Sequence, residues 1–81
     1  MRVTVRLFAR LRDIVGRAEL EREVAEAATA RDVWNGLAAE FPELAPYAPV
    51  SSCAVNADYA RFDTALRDGD EVAFLPPVSG G

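Results

Sequence analysis

Apolar and polar positions alternate through the first eight residues, with Val3, Val5 and Leu7 set between Arg2, Thr4, Arg6 and Phe8. A period of two predicts a half-buried strand whose inner face carries the aliphatic residues and continues to Ala9. Leu11, Ile14 and Val15 then follow helical spacing, and Gly16 suits a helix C-cap. Alternation returns over residues 18–25, anchored by Leu20 and Val24, and predicts a second strand antiparallel to the first. Thr29, with Asp32 three residues on, opens the clearest helix. Its apolar stripe is Val33, Trp34, Leu37, Ala38 and Phe41. Pro42 ends that helix, and Pro42, Pro46 and Pro49 predict a long connector. Residues 51–57 predict a short strand, and a turn at Asn56 to Asp58 leads into Tyr59 to Phe62. Asp68-Gly69 predicts another turn, and Glu71 to Leu75 the last strand.

This order fits an α+β fold in which one main helix crosses one face of a mixed sheet, the arrangement called the β-grasp. The first and last strands then lie parallel at the sheet centre, with the last strand held on both edges. Residues 1–75 form the predicted domain, and 76–81 a flexible, extended C-terminal tail. Pro76 and Pro77 fix φ and favour an extended exit. Val78 and Ser79 lead to Gly80 and Gly81, which lack a Cβ and fit a slot too narrow for other residues. Six residues reach roughly 20 Å. The tail reads as an arm that presents a carboxylate to another protein's active site. Strand parity adds a second feature. With Val5, Leu7, Val72 and Phe74 facing inward, Phe8 and Leu75 emerge on the opposite face at the root of the tail. Tyr59 joins them from the adjacent strand pair. An exposed apolar cluster there suggests a docking patch; the alternative is that the short helix covers this face.

Composition narrows the chemistry. Eighty-one residues make one small domain, and a hydrophobic fraction of 51% supports a core. A formal charge of −4 argues against nucleic acid or an anionic membrane as the main partner. The opening residues lack the apolar run of a signal peptide, and no stretch is long enough to span a membrane. A single cysteine, Cys53, forms no intramolecular disulfide, so a reducing, cytoplasmic setting is expected. With neither His nor Lys, the usual general bases are missing. Cys53 has no imidazole to activate it and sits in an apolar strand, where a buried thiol behaves as a small hydrophobe. One thiolate cannot hold an iron–sulfur cluster, and no metal or bound cofactor is expected. Asp63, Asp68, Asp70 and Glu71 gather around a turn, either as a solvated face or as a field steering a basic partner. Gly36 inside the helix costs about 1 kcal/mol relative to Ala, unless it allows close packing. All nine basic residues are Arg. That bias has two readings: genomic composition, or a chain that offers no ε-amine to its own activated tail. On its own, the chain reads as catalytically empty.

Three segments resemble a known family. Asp68 to Gly81 (DGDEVAFLPPVSGG), Val5 to Gly16 and Ala54-Val55-Asn56 are similar to the small, sulfur-carrying subunit of molybdopterin synthase, within the ubiquitin-like β-grasp carriers. The likeness covers essentially the whole chain, with Leu75 in place of the aromatic residue often found there. It implies that the Gly81 carboxylate is adenylated, using ATP, by an adenylyltransferase resembling ubiquitin-activating enzymes. A sulfur donor protein then converts it to a thiocarboxylate. The resemblance implies that Pro76, Pro77, Val78, Ser79 and Gly80 insert into a large catalytic subunit, within a heterotetramer of two small and two large subunits. There the sulfur passes to cyclic pyranopterin monophosphate, the precursor of the molybdenum cofactor. It also implies partner contacts at Phe8, Tyr59 and Leu75, in agreement with the parity argument. The alternatives are a sulfur carrier for thiamine or tRNA thiolation, a ubiquitin-like modifier forming isopeptide bonds, and a non-reactive interaction module.

Overall fold

In the computed structural model, which describes residues 1–77, the opening alternation becomes strand β1 (Arg2–Leu7). Val78, Ser79, Gly80 and Gly81, and with them the expectations placed on the tail tip, lie outside the described residues. Helix α1 (Ala9–Val15) follows and stops at Gly16, whose φ of 84° is left-handed and whose N–H donates to the Arg12 carbonyl. Strand β2 (Glu19–Glu23) returns antiparallel to β1, pairing Val5 with Leu20. Helix α2 (Ala30–Glu40) starts on a reciprocal cap. The Asp32 N–H donates to Thr29 Oγ1 at 3.2 Å, and the Thr29 N–H donates to Asp32 Oδ2 at 2.9 Å. Strands β3 (Ser52–Val55), β4 (Asp58–Ala60) and β5 (Glu71–Leu75) complete a sheet ordered β2-β1-β5-β3-β4. β1 and β5 run parallel, and β5 is also paired with β3 on its other edge. This is the mixed-sheet β-grasp read from the sequence.

Two segments depart from the sequence reading. The strand ends at Leu7 instead of continuing to Ala9, which is exposed and turns the chain into α1 at a φ of 50°. Residues after Pro42 are no open connector: Pro42–Tyr47 forms a 3₁₀ helix with Leu44 fully buried. Proline's fixed φ suits the start of such a turn, and one apolar residue is enough to seat it on the core.

The core lies between α2 and the sheet. Val3, Val5 and Leu7 of β1, Val72 and Phe74 of β5, and Cys53 of β3 meet Val33, Trp34 and Leu37 of α2. Phe74 is 0% exposed, with Trp34 edge-on at 5.2 Å and Phe62 stacked at 6.1 Å between ring centroids. Leu11 of α1 and Leu66 close the ends of this layer. Among the described residues no helix is long and apolar enough to cross a membrane.

A polar lock fixes the start of β5. Asn56 donates through Nδ2 to Asp70 Oδ1 at 3.0 Å, and its Oδ1 accepts from the Glu71 N–H at 3.0 Å. The Arg67 N–H donates to Asp70 Oδ2 at 2.8 Å. The Asn56 amide, followed by the Arg67 N–H, holds the Asp70 carboxyl below its ordinary range. A depressed carboxyl stabilises the fold above its unfolded pKa, and that contribution is lost as pH falls through the folded value. Asp70→Asn is therefore expected to be less stable than the parent at neutral pH, with the gap closing below about pH 4. Thermal melts across an acid series check this, and a gap unchanged at low pH contradicts it. Gly36 has a simpler outcome. A Cβ built there meets nothing within 4 Å, so close packing does not explain the glycine. Gly36→Ala is expected to raise stability by about 1 kcal/mol, read as a higher urea midpoint.

Candidate functional site

The inward set of β5 decides what its other face presents. With Val72 and Phe74 buried, Ala73 and Leu75 point away from α2. Across the ladder, Arg6 pairs with Ala73, Ala54 with Ala73, and Ala54 with Tyr59, so these side chains share the open face. Phe8 keeps the extended backbone of β1 for one more residue (φ −128°, ψ 152°), and so also points outward. Together they enclose a hollow of about 310 Å³. Its floor is small, made by Ala54, Ala57 and Ala73. Phe8, Tyr59 and Leu75 stand around it, and Arg6 and Glu71 mark a charged end. A low floor between bulky walls is a seat for an apolar side chain brought by another molecule.

The three residues singled out from parity are thus brought together. Tyr59 is 81% exposed and Phe8 38%, so α1 does not cover this face; it sends Leu11 into the core instead. Leu75 is half-buried opposite Ser52 and ends the strand. Pro76 is half-buried and Pro77 exposed, so the chain leaves the sheet at the rim of the hollow. The alanine floor and the two charged residues were missed from sequence. Their signal was the same alternation, since Ala73 lies between two buried residues. Ala57 sits in the two-residue turn between β3 and β4, where Asn56 (φ 50°) and Ala57 (φ 72°) both have left-handed backbones. Such turns favour glycine at the second position, so the alanine methyl is held there against its backbone preference.

The electrostatics are mild. The Arg6 guanidinium lies 5.8 Å from the Phe8 ring centroid and approaches Glu19 at 4.0 Å and Glu71 at 3.9 Å. Exposed pairs at such distances contribute little, which leaves Arg6 able to meet a partner's charge. Cys53 is on the other side of the sheet, 1% exposed, with its Sγ 3.3 Å from the Ala60 carbonyl. Burial pushes its thiol up, which suits a core residue and not a nucleophile. Asp68 and Asp70 accept backbone hydrogen bonds just before β5 and do not line the hollow. No group of three or more His, Cys, Asp or Glu side chains placed to hold a metal occurs among the described residues.

The model of the ThiS family matches residues 5–81. A molybdopterin synthase sulfur carrier subunit from Chlamydomonas reinhardtii is 36% identical over 83 residues, covering 100% of both chains. The solution structure of small archaeal modifier protein 1 from Methanosarcina acetivorans superposes with a TM-score of 0.84 at 30% identity, covering 99% of this chain and 96% of that one. A chain from the complex of subunits 1 and 2 of the molybdopterin-converting factor of Helicobacter pylori matches at a TM-score of 0.69 and 26% identity, covering 100% of both.

Proposed function

The chain belongs to the ThiS family, and from that premise we propose that it is the sulfur carrier subunit of a molybdopterin synthase. The observation that carries this reading is the apolar hollow at the point where β5 releases the chain towards Gly81. A carboxylate is a resonance-stabilised, poor electrophile. In the proposed cycle the Gly81 carboxylate attacks the α-phosphate of ATP on an activating adenylyltransferase, and pyrophosphate leaves. Sulfide-level sulfur, delivered as hydrosulfide from a sulfur donor protein, then bonds to the Gly81 carbonyl carbon as the bond to AMP breaks, leaving a terminal thiocarboxylate whose sulfur is a soft nucleophile. ATP is the activating enzyme's substrate, not a resident of this chain.

The large subunit supplies the groups this chain lacks, which has no His and no Lys and keeps its one thiol in the core. Phe8, Tyr59 and Leu75 seat the body on that subunit. Pro76 and Pro77 direct the last residues into its active site, where positioning lowers the barrier. Two carriers are consumed for each dithiolene formed on cyclic pyranopterin monophosphate, in keeping with an assembly of two small and two large subunits. A reducing cytoplasm suits both the free Cys53 and the thiocarboxylate.

A second reading has a specific observation behind it, the similarity to a protein named as a modifier. In that case Gly81 forms isopeptide bonds with other proteins, or passes sulfur to a thiamine or tRNA pathway. The test is intact-mass analysis of the chain after incubation with ATP, an adenylyltransferase and a sulfur donor. One oxygen replaced by sulfur at Gly81, followed by dithiolene formation when the large subunit and pterin are added, is expected. An unchanged mass, or reductant-resistant conjugates on a denaturing gel in place of the sulfur product, contradicts the reading.

A further inference from the structure

An activated acyl group is a hazard to the protein that carries it, because any nearby amine or thiol can capture it. The side chains of this protein are arranged against that reaction. Every basic residue among the 81 is Arg, and a guanidinium is not deprotonated under ordinary conditions, so it holds positive charge without offering a nucleophilic nitrogen. The bias extends to open positions: the Arg61 side chain is 88% exposed, and Arg10, the second residue of α1, is exposed as well. Lysine at either place would serve as a ready acceptor.

Two stronger nucleophiles remain, one held at the far end of the sheet and the other buried. The Met1 ammonium donates to the Val24 carbonyl at 2.8 Å, and the next residue is tied by its N–H to Asp68 Oδ1 at 2.8 Å. Because β1 and β5 are parallel, Met1 lies at the end of the sheet opposite the tail root. The seven extended residues Arg2 to Phe8 separate those ends by about 23 Å. Residues 76–81 span at most about 22 Å when fully extended, and reach less when the chain must turn back along the sheet. The Cys53 thiol points into the core on the face away from the hollow and is 1% exposed.

We propose that this chain is an acceptor-free acyl carrier: no amine or thiol of the folded domain captures its own activated Gly81 acyl group, so the group leaves only to an external acceptor and the protein does not close into a circle on itself. This rests on the reading of Gly81 as the activated residue. The reaction avoided is ordinary acyl transfer. An amine nitrogen bonds to the Gly81 carbonyl carbon, the bond to the AMP or thiol leaving group breaks, and the amine's proton goes to solvent.

The test installs the activated group chemically, so that it does not depend on any activating enzyme. The full chain is released from an intein fusion with mercaptoethanesulfonate, giving a Gly81 thioester, and is held folded at mildly alkaline pH in amine-free buffer. Intact-mass analysis then distinguishes hydrolysed chain from amide-linked product, which has lost the thiol without gaining water. The parent is expected to hydrolyse, and to form the methylamide when methylamine is added, without acylating itself. Arg10→Lys and Arg61→Lys are expected to give at least about tenfold more self-acylated product, through the high effective concentration of a tethered acyl group. Unfolding the parent in urea, which frees Met1 and Cys53, is expected to release self-acylation too. Self-acylation of the folded parent at the rate of the lysine variants would overturn the proposal. So would its absence from both variants, or from the urea sample, while methylamide still forms. Success here alongside an unchanged mass in the ATP-dependent experiment would reject the sulfur-carrier reading alone.

Discussion

The burial of Phe74 between the sheet and α2 is the constraint from which the rest follows. It sits on the central strand, paired with β1 on one edge and β3 on the other, with Trp34 edge-on above it. A strand held on both edges cannot slip by one residue without turning Val72 and Phe74 to solvent and Ala73 and Leu75 into the core. That penalty fixes which side chains face outward and where the chain leaves the sheet. The shape of the open face is thus set by the hydrophobic core behind it.

The two faces divide the work. Behind the sheet, aliphatic and aromatic side chains supply cohesion, and the Asn56–Asp70 lock holds the start of β5 in register with its neighbours. In front, the β2 and β1 side is charged: Arg2 meets Glu23 at 2.8 Å and Glu21 at 3.6 Å. The β5, β3 and β4 side is apolar, with the hollow as its centre. Exposed ion pairs add little stability, yet they keep the rest of the face polar and confine the apolar surface to the tail root. The confined apolar seat lies beside the point where the chain leaves the sheet at Pro76.

Most of this was legible in the sequence because period-two alternation reports strand faces directly. Val3, Val5, Leu7, Val72 and Phe74 identified the inner face, and Phe8 and Leu75 followed by parity. The capping pair Thr29 and Asp32 and the glycine at position 16 marked helix ends by local chemistry alone. The segment after Pro42 was not legible. Three prolines read as a connector, whereas their fixed φ also suits 3₁₀ turns, and Leu44 is a single apolar residue with no period to reveal that it is buried. Ala9 was misplaced for a related reason: alternation cannot signal the residue at which a positive φ ends a strand. The alanine floor escaped notice because small residues mark a hollow only when the larger residues around it are placed in space.

In the proposed function, this outward face at the tail root is where partners grip the domain. Calorimetric titration of a molybdopterin synthase large subunit with the parent, Phe8→Ala and Leu75→Ala proteins tests it directly. The account predicts that each substitution weakens association by about 1–3 kcal/mol while leaving the thermal transition nearly unchanged. Affinities equal to the parent's, for variants that remain folded, would contradict it.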